Sequence, residues 1–278
     1  MTNIFKENSG LICGNDKSTA FQSFEFKQCL AQGVSKFQTI DVYDTKAFGR
    51  VLVLDDIVQL TEMDEFIYSE MLTHVPMFEH HCPKNILIVG GGDGCVLREV
   101  LKHKTVESVV ILEIDREVMN IAEDFFNADF NDERLQVINE DALQAIKTLN
   151  RKFDVVIIDS TDPQTSGGKS IYSKHFMSAL SNRVSENGVI SMMAGVPMVQ
   201  GLGHVKEINR LMHFLGFNTD LYTTTVPTYY GGLTAMMIYW KNGVYVSDKN
   251  MNIVNTKHYD RLVHDASFVK PQWLKDMI

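Results

Sequence analysis

The sequence predicts an α/β protein built on a doubly wound, mostly parallel sheet, preceded by a small β-rich N-terminal domain. Three observations carry this. From Asn85 onward, strand-like and helix-like segments alternate, the pattern of a sheet with crossover helices. Several strands are apolar at every position, as in Val155-Val156-Ile157-Ile158, which suits strands covered on both faces. Finally, Ile86-Leu87-Ile88-Val89 runs into Gly90-Gly91-Gly92-Asp93-Gly94, a buried strand ending in a glycine turn that opens a helix.

Taken in order, residues 1–64 form the N-terminal β-strand domain, with short strand-like runs from about Gly10 to Asp64. Phe37–Tyr43 alternates in polarity. Arg50–Leu54, a turn at Asp55-Asp56 and Ile57–Thr61 read as a hairpin. Residues 65–278 form the second domain. Glu65–Phe78 has helical spacing, with Pro76 expected to cut or kink it. Strands are expected at Asn85–Val89, Ser108–Leu112, Leu135–Asn139, Phe153–Ile158, Gly188–Met193, Asn218–Thr224 and Ala235–Trp240. Helices are expected at Val96–His103, Arg116–Phe126, Ala142–Leu149, Lys174–Ser185 and His204–Leu215. The loop Thr165–Ser170, rich in Gly and Ser, follows a strand end and reads as a mobile lid.

The 278 residues are 45% hydrophobic and 22% charged, ordinary for a globular protein. A net charge of −9 argues against a nucleic-acid partner and suits a cationic small substrate, although solubility alone explains modest acidity. Cys13, Cys29, Cys82 and Cys95 form no CxxC pair and lie at no zinc-ligand spacing, so no metal site and a reduced, cytoplasmic setting are expected. No signal peptide and no apolar run long enough for a membrane helix is visible.

Ligands of open α/β sheets bind beyond the carboxyl ends of the strands. In this sequence those ends carry Asp93, Glu113, Asp141 and Asp159 in succession, with Asp162 close behind. Glu113 lies twenty residues after Asp93, the spacing of a ribose-hydroxyl ligand. Each has a plainer reading: Asp141 as a helix cap, Glu113 as a surface ion-pair partner, Asp162 as a turn residue before Pro163. Together they place like charges on one rim, which costs stability unless a cation or hydroxyls satisfy them. Asp93 at a helix N-terminus opposes a phosphate. A sulfonium nucleoside fits better. Since Asp93 would also repel the carboxylate of S-adenosylmethionine, the decarboxylated form, ending in a propylamine cation, fits best.

The chain resembles the spermidine synthase (polyamine aminopropyltransferase) family over nearly its whole length. The matching stretches are Gly49–Asp55, Gln59–Tyr68, the glycine loop through Val100, Glu113-Ile114-Asp115, Asp159-Ser160-Thr161-Asp162-Pro163 and Pro227–Gly232. The resemblance implies a Rossmann-like, methyltransferase-type sheet and aminopropyl transfer from decarboxylated S-adenosylmethionine to a diamine, putrescine first. No further cofactor is implied. Gln38, Gly90, Glu113, Asp141 and Ala142 would hold the donor nucleoside, with Glu113 on the ribose. Asp93 would bind the aminopropyl ammonium and Asp159 would be the catalytic base. Tyr68, Ser69, Asp162 and Tyr229 would line the acceptor-amine channel, together with Asp93 and Asp159. A homodimer, or a homotetramer, is the expected assembly.

Three places depart from the family pattern: Ser69 where Gln or His follows the tyrosine, Gln164–Lys169 where a Gly-Pro element is usual, and Met193 where a Gln often stands. They leave the acceptor open, with cadaverine or agmatine as alternatives. A methyltransferase on the same fold and a non-catalytic polyamine-binding protein are the competing functions.

Overall fold

A computed structural model describes residues 3–6, 22–160, 170–242 and 254–278. The N-terminal part is an antiparallel sheet of β1 (Ile4–Lys6), β2 (Ser23–Val34), β3 (Thr39–Thr45), β4 (Arg50–Leu54) and β5 (Ile57–Thr61), paired in chain order. The β4–β5 hairpin turns on Asp55 and Asp56 at φ 47° and 62°, the left-handed pair that matches strand twist. The twelve residues of β2 are mostly exposed, so no apolar alternation marked this strand in the sequence. The two faces of the sheet build separate cores. Ile40, Val42, Leu52, Leu54 and Leu60 pack with Val118, whereas Phe5, Phe24, Tyr43, Val51, Val53 and Val58 pack together on the other side.

The second sheet contains β6 (Asn85–Gly90), β7 (Ser108–Leu112), β8 (Leu135–Ile138), β9 (Phe153–Asp159), β10 (Val184–Gly195), β11 (Asn218–Thr225) and β12 (Leu233–Trp240). Their order is β11-β12-β10-β9-β6-β7-β8, with only β12 antiparallel to its neighbours. Alternation sorts the strand residues cleanly. Leu87, Val89, Val156 and Ile158 face a core closed by α4 (Ala142–Thr148), α5 (Lys174–Ser181) and α7 (Gly203–Phe214). Ile86, Ile88, Val155 and Ile157 face a second core closed by α1 (Glu65–Glu79) and α2 (Cys95–Leu101). Two further helices are α3 (Arg116–Phe126) and α6 (Pro197–Gln200). Burial on both faces is why these strands read as continuous apolar runs.

The expected element ends shift in three instructive places. Pro76 does not cut α1; the helix runs to Glu79 and closes with the His80 N–H on the Pro76 carbonyl at 3.1 Å. The helix expected to reach Ser185 stops at Ser181, because Val184 already pairs with Phe153. An irregularity between Val184 and Val189 then loops the exposed Glu186-Asn187 out of the sheet, so the strand starts before the expected Gly188.

The C-terminal residues from Val254, with α8 (Arg261–Ser267) and α9 (Gln272–Lys275), are held against α1. The buried Glu70 carboxylate accepts the backbone N–H groups of Lys257, His258 and Tyr259, each at 2.8 Å. The Tyr259 hydroxyl meets His264 at 2.7 Å, and His264 meets Glu79 at 2.9 Å. Among the described residues no helix is long and apolar enough to cross a membrane.

Candidate active site

The strand order reverses between β6 and β9, the switch point where open α/β sheets bind ligands. There Gly90 stands opposite Asp159, and the Gly91 N–H donates to the Asp159 carbonyl at 2.9 Å. Gly90 has φ +83°, and a Cβ on it would lie 2.0 Å from that carbonyl oxygen. Only glycine lets the two strand ends close up in this way.

A cavity of about 410 Å³ opens over this point. It is lined by Gln38, Tyr68, Gly90, Asp93, Glu113, Asp141, Ala142, Asp159 and Tyr229, nine of the eleven residues singled out from the sequence. Ser69 is not among them. One step along α1 from Tyr68 turns its side chain away from the cavity; fully buried, its hydroxyl donates to the Glu65 carbonyl at 3.1 Å. The expectation that Ser69 lines an amine channel is therefore corrected. Asp162 and the loop 164–169 lie outside the described residues.

The carboxylates are held in different ways. Asp93 precedes α2 and its Oδ1 accepts the Cys95 N–H at 2.8 Å, occupying a helix-start donor that an anionic ligand would need. Burial pushes its carboxyl above the ordinary range, against the pull of that N–H. Asp159 at the end of β9 accepts the Tyr68 hydroxyl at 3.1 Å. Its carboxyl lies well above the ordinary range, first through burial and then through the Asp93 charge. Burial and the Asp159 charge raise the Tyr68 phenol in turn. A half-buried site with two mutually repelling carboxylates is one that a cation stabilises.

Glu113 ends β7, and its Oε1 accepts the Asp115 N–H at 2.8 Å. Burial pushes its carboxyl up to about 7 despite that bond, with the Asp115 charge adding to the rise. The Gly92 backbone lies so close that a Cβ there would be 2.9 Å from Glu113 Oε2. Asp141 has both of its readings at once: it caps α4 by accepting the Gln144 N–H at 3.1 Å and it lines the cavity.

Tyr68 and Tyr229 bound one side of the cavity. The Tyr68 and Tyr229 rings are tilted against each other at 5.7 Å between centroids, and the Tyr229 hydroxyl donates to the Gln59 carbonyl at 2.9 Å. Met193 lines the same cavity, and its carbonyl accepts the Tyr172 hydroxyl at 3.2 Å. Three contributors were not assigned a role from the sequence. Gln200 lines the cavity beside Met193. Asp64, 4% exposed, accepts the Thr228 N–H at 2.9 Å and the Thr228 hydroxyl at 2.8 Å, tying the Tyr229 loop to the N-terminal sheet. Asp115 accepts the Gln38 side-chain amide at 2.9 Å. Asp64 and Asp115 lie inside the motif stretches, where a buried carboxylate is the only cue. No cluster of His, Cys, Asp and Glu that could hold a metal ion occurs among the described residues.

Comparison with known proteins agrees with this geometry. The family model for the spermine/spermidine synthase domain matches residues 65–250, and that for the spermidine synthase tetramerisation domain matches residues 15–62. The chain is 36% identical to a polyamine aminopropyltransferase of Buchnera aphidicola (subsp. Acyrthosiphon pisum), over 91% of this chain and 92% of the relative. It is 34% identical to the spermine synthase of Saccharomyces cerevisiae, over 95% and 93%. Among solved structures, a spermidine synthase bound to the transition-state analogue AdoDATO superposes with a TM-score of 0.90 at 32% identity, covering 99% of this chain and 94% of that one. The spermidine synthase of Thermotoga maritima gives 0.87 at 30%, covering 99% and 93%.

Proposed function

The chain belongs to the spermine/spermidine synthase family and is a transferase, and on that premise we propose that it moves the aminopropyl group of decarboxylated S-adenosylmethionine to a diamine, with putrescine as the first candidate. The observation that carries the proposal is the Asp93–Asp159 pair. Two half-buried carboxylates, each raised in pKa by desolvation, face one cavity, an arrangement that a cationic ligand stabilises.

In this reading Gln38, Gly90, Glu113, Asp141 and Ala142 hold the nucleoside, and Asp93 holds the aminopropyl ammonium. An alkyl ammonium titrates near ~10, so the acceptor arrives protonated and cannot attack. Asp159 binds that cation through charge and takes its proton. A carboxylate whose proton affinity is raised does this better than an ordinary one. The freed nitrogen lone pair forms the new N–C bond as the C–S bond breaks in line. The bonding pair goes to the sulfonium sulfur, which leaves as neutral methylthioadenosine. Tyr68, held on Asp159, and Tyr229 place the incoming amine, and catalysis rests on position and charge. Asp162 is assigned to the amine channel on the motif alone.

The competing methyltransferase reading needs a group that neutralises a methionine carboxylate. Asp93 occupies that helix start, and its helix-start N–H contact is already taken. Met193 supports keeping cadaverine and agmatine as alternative acceptors, since it gives this side of the cavity an apolar wall. A homodimer or homotetramer in the cytoplasm completes the proposal. The match of residues 15–62 supports assembly through the N-terminal domain, taken to end at residue 64.

Mass spectrometry of the products from decarboxylated S-adenosylmethionine and a panel of diamines tests the proposal directly. Methylthioadenosine plus an acceptor heavier by one aminopropyl group is expected. A methylated acceptor, or binding with no methylthioadenosine released, would overturn it.

A further inference from the structure

Asp115 is 1% exposed and does not itself line the cavity, but its carboxylate accepts from three groups, one of them a lining residue. Oδ2 accepts the Gln38 Nε2 at 2.9 Å and the Ser35 hydroxyl at 2.6 Å. Oδ1 accepts the Glu117 N–H at 3.2 Å. The Ser35 oxygen in turn accepts the N–H groups of Phe37 and Gln38 at 3.0 and 3.1 Å, fixing the turn that carries Gln38. A carboxylate only accepts, so the Gln38 amide has one permitted orientation: NH2 toward Asp115 and Oε1 away from it.

Resting on the donor-site reading above, we propose that Asp115 is a positioning residue that sets the polarity of Gln38. It turns the amide so that a carbonyl oxygen, rather than an NH2, meets the nucleoside. Gln38 thereby selects ligands that present a hydrogen-bond donor, a sugar hydroxyl or an exocyclic amine, at that point. The contact also ties the N-terminal sheet to the second sheet, because Gln38 immediately precedes β3 and Asp115 follows the end of β7.

The chemistry of an Asp115→Asn change makes this testable. The Glu117 N–H is backbone and cannot turn, so the new amide oxygen goes to it and the new NH2 faces Ser35 and Gln38. The Ser35 oxygen already accepts two N–H groups, so its hydroxyl turns its hydrogen to the Gln38 backbone carbonyl at 3.3 Å instead. Gln38 must flip, sending its own NH2 into the cavity. A Gln38→Glu change in that background restores an acceptor on both sides. In the wild-type background the same Gln38→Glu change sets two carboxylates face to face.

The experiment is calorimetric binding of methylthioadenosine to the wild type, Asp115→Asn, Gln38→Glu and the double variant, with thermal melting of each. Asp115→Asn and Gln38→Glu are each expected to weaken binding about tenfold, the effect of one misdirected hydrogen bond. The double variant is expected to return to within about threefold of wild type. Wild-type affinity in either single variant, or a double variant as weak as Asp115→Asn, would overturn the proposal. If Asp115→Asn does not fold, Gln38→Glu keeps the proposal refutable: wild-type affinity there would show that the Asp115 carboxylate puts no constraint on residue 38 and would overturn it. A wild type that binds no methylthioadenosine would overturn the donor-site reading and the positioning role together. Binding without coupling would overturn only the latter.

Discussion

Lowering the pH from 8 to 6 should weaken methylthioadenosine binding about tenfold through Glu113. The unliganded carboxyl titrates at about 7, and only its ionised form offers acceptors to two ribose hydroxyls. At pH 8 about nine tenths of the molecules are ionised, and at pH 6 about one tenth, so the binding-competent fraction changes about tenfold. Binding therefore expels a proton on the acid side of 7. The ligand is uncharged, so the raised Asp93 and Asp159 carboxyls gain little from it. The same shift has a stability consequence of opposite benefit. A folded-state value of about 7 against 4.5 for the free group favours the folded protein below pH 4.5. That contribution, about 3 kcal/mol, is lost as the pH rises through 7. Calorimetry at pH 6, 7 and 8 in two buffers of different ionisation enthalpy reads both the affinity and the proton release. Glu113→Gln should bind weakly at every pH with no slope, whereas Asp159→Asn should keep the slope. Affinity that is flat from pH 6 to 8 in the wild type, or that rises as the pH falls, would refute the role given to Glu113.

Four further outcomes are expected. Asp159→Asn should lower turnover by about a thousandfold while leaving methylthioadenosine affinity within about threefold, read by product assay and calorimetry. Tyr68→Phe removes the 3.1 Å bond to Asp159 and should cost about tenfold in kcat without lowering the melting temperature. Gly90→Ala drives a Cβ into the Asp159 carbonyl and should destabilise the protein by more than about 3 kcal/mol in urea unfolding. Asp64→Ala leaves the buried Thr228 N–H without its acceptor; it should cost about 2–4 kcal/mol and raise the acceptor KM, because Tyr229 is the next residue.

The rim of the site was readable in the sequence because its chemistry follows strand ends. Glu113 and Asp159 come directly after an apolar run, and Asp93 and Asp141 within four residues of one, so locating the run located the carboxylate. Ser69 was misplaced because neighbours in a helix point about 100° apart, and sequence adjacency to Tyr68 says nothing about a shared face. Asp64 and Asp115 sat in plain view among the motif stretches. Their roles rest on partners 164 and 77 residues away, Thr228 and Gln38, and no local pattern encodes such pairings. β2 went undetected because period-2 patterning records burial, and most of its residues are exposed. The end of α5 was overrun because Asn182–Ser185 continues a passable helical composition, while the pairing of Val184 with Phe153 settles the boundary from across the sheet.

The clasp of Glu70 on the backbone of Lys257–Tyr259 has a consequence for how the protein is made. Glu70 emerges from the ribosome some 187 residues before the first of its partners. The helix that bears Tyr68 is therefore synthesised early, while the donors that satisfy its Glu70 carboxylate follow only with residues 257–259. Both sheets can assemble while translation continues, yet that helix settles only after residues 257–264 arrive. Closure over such a separation is slow. Activity should thus trail the formation of secondary structure in both sheets.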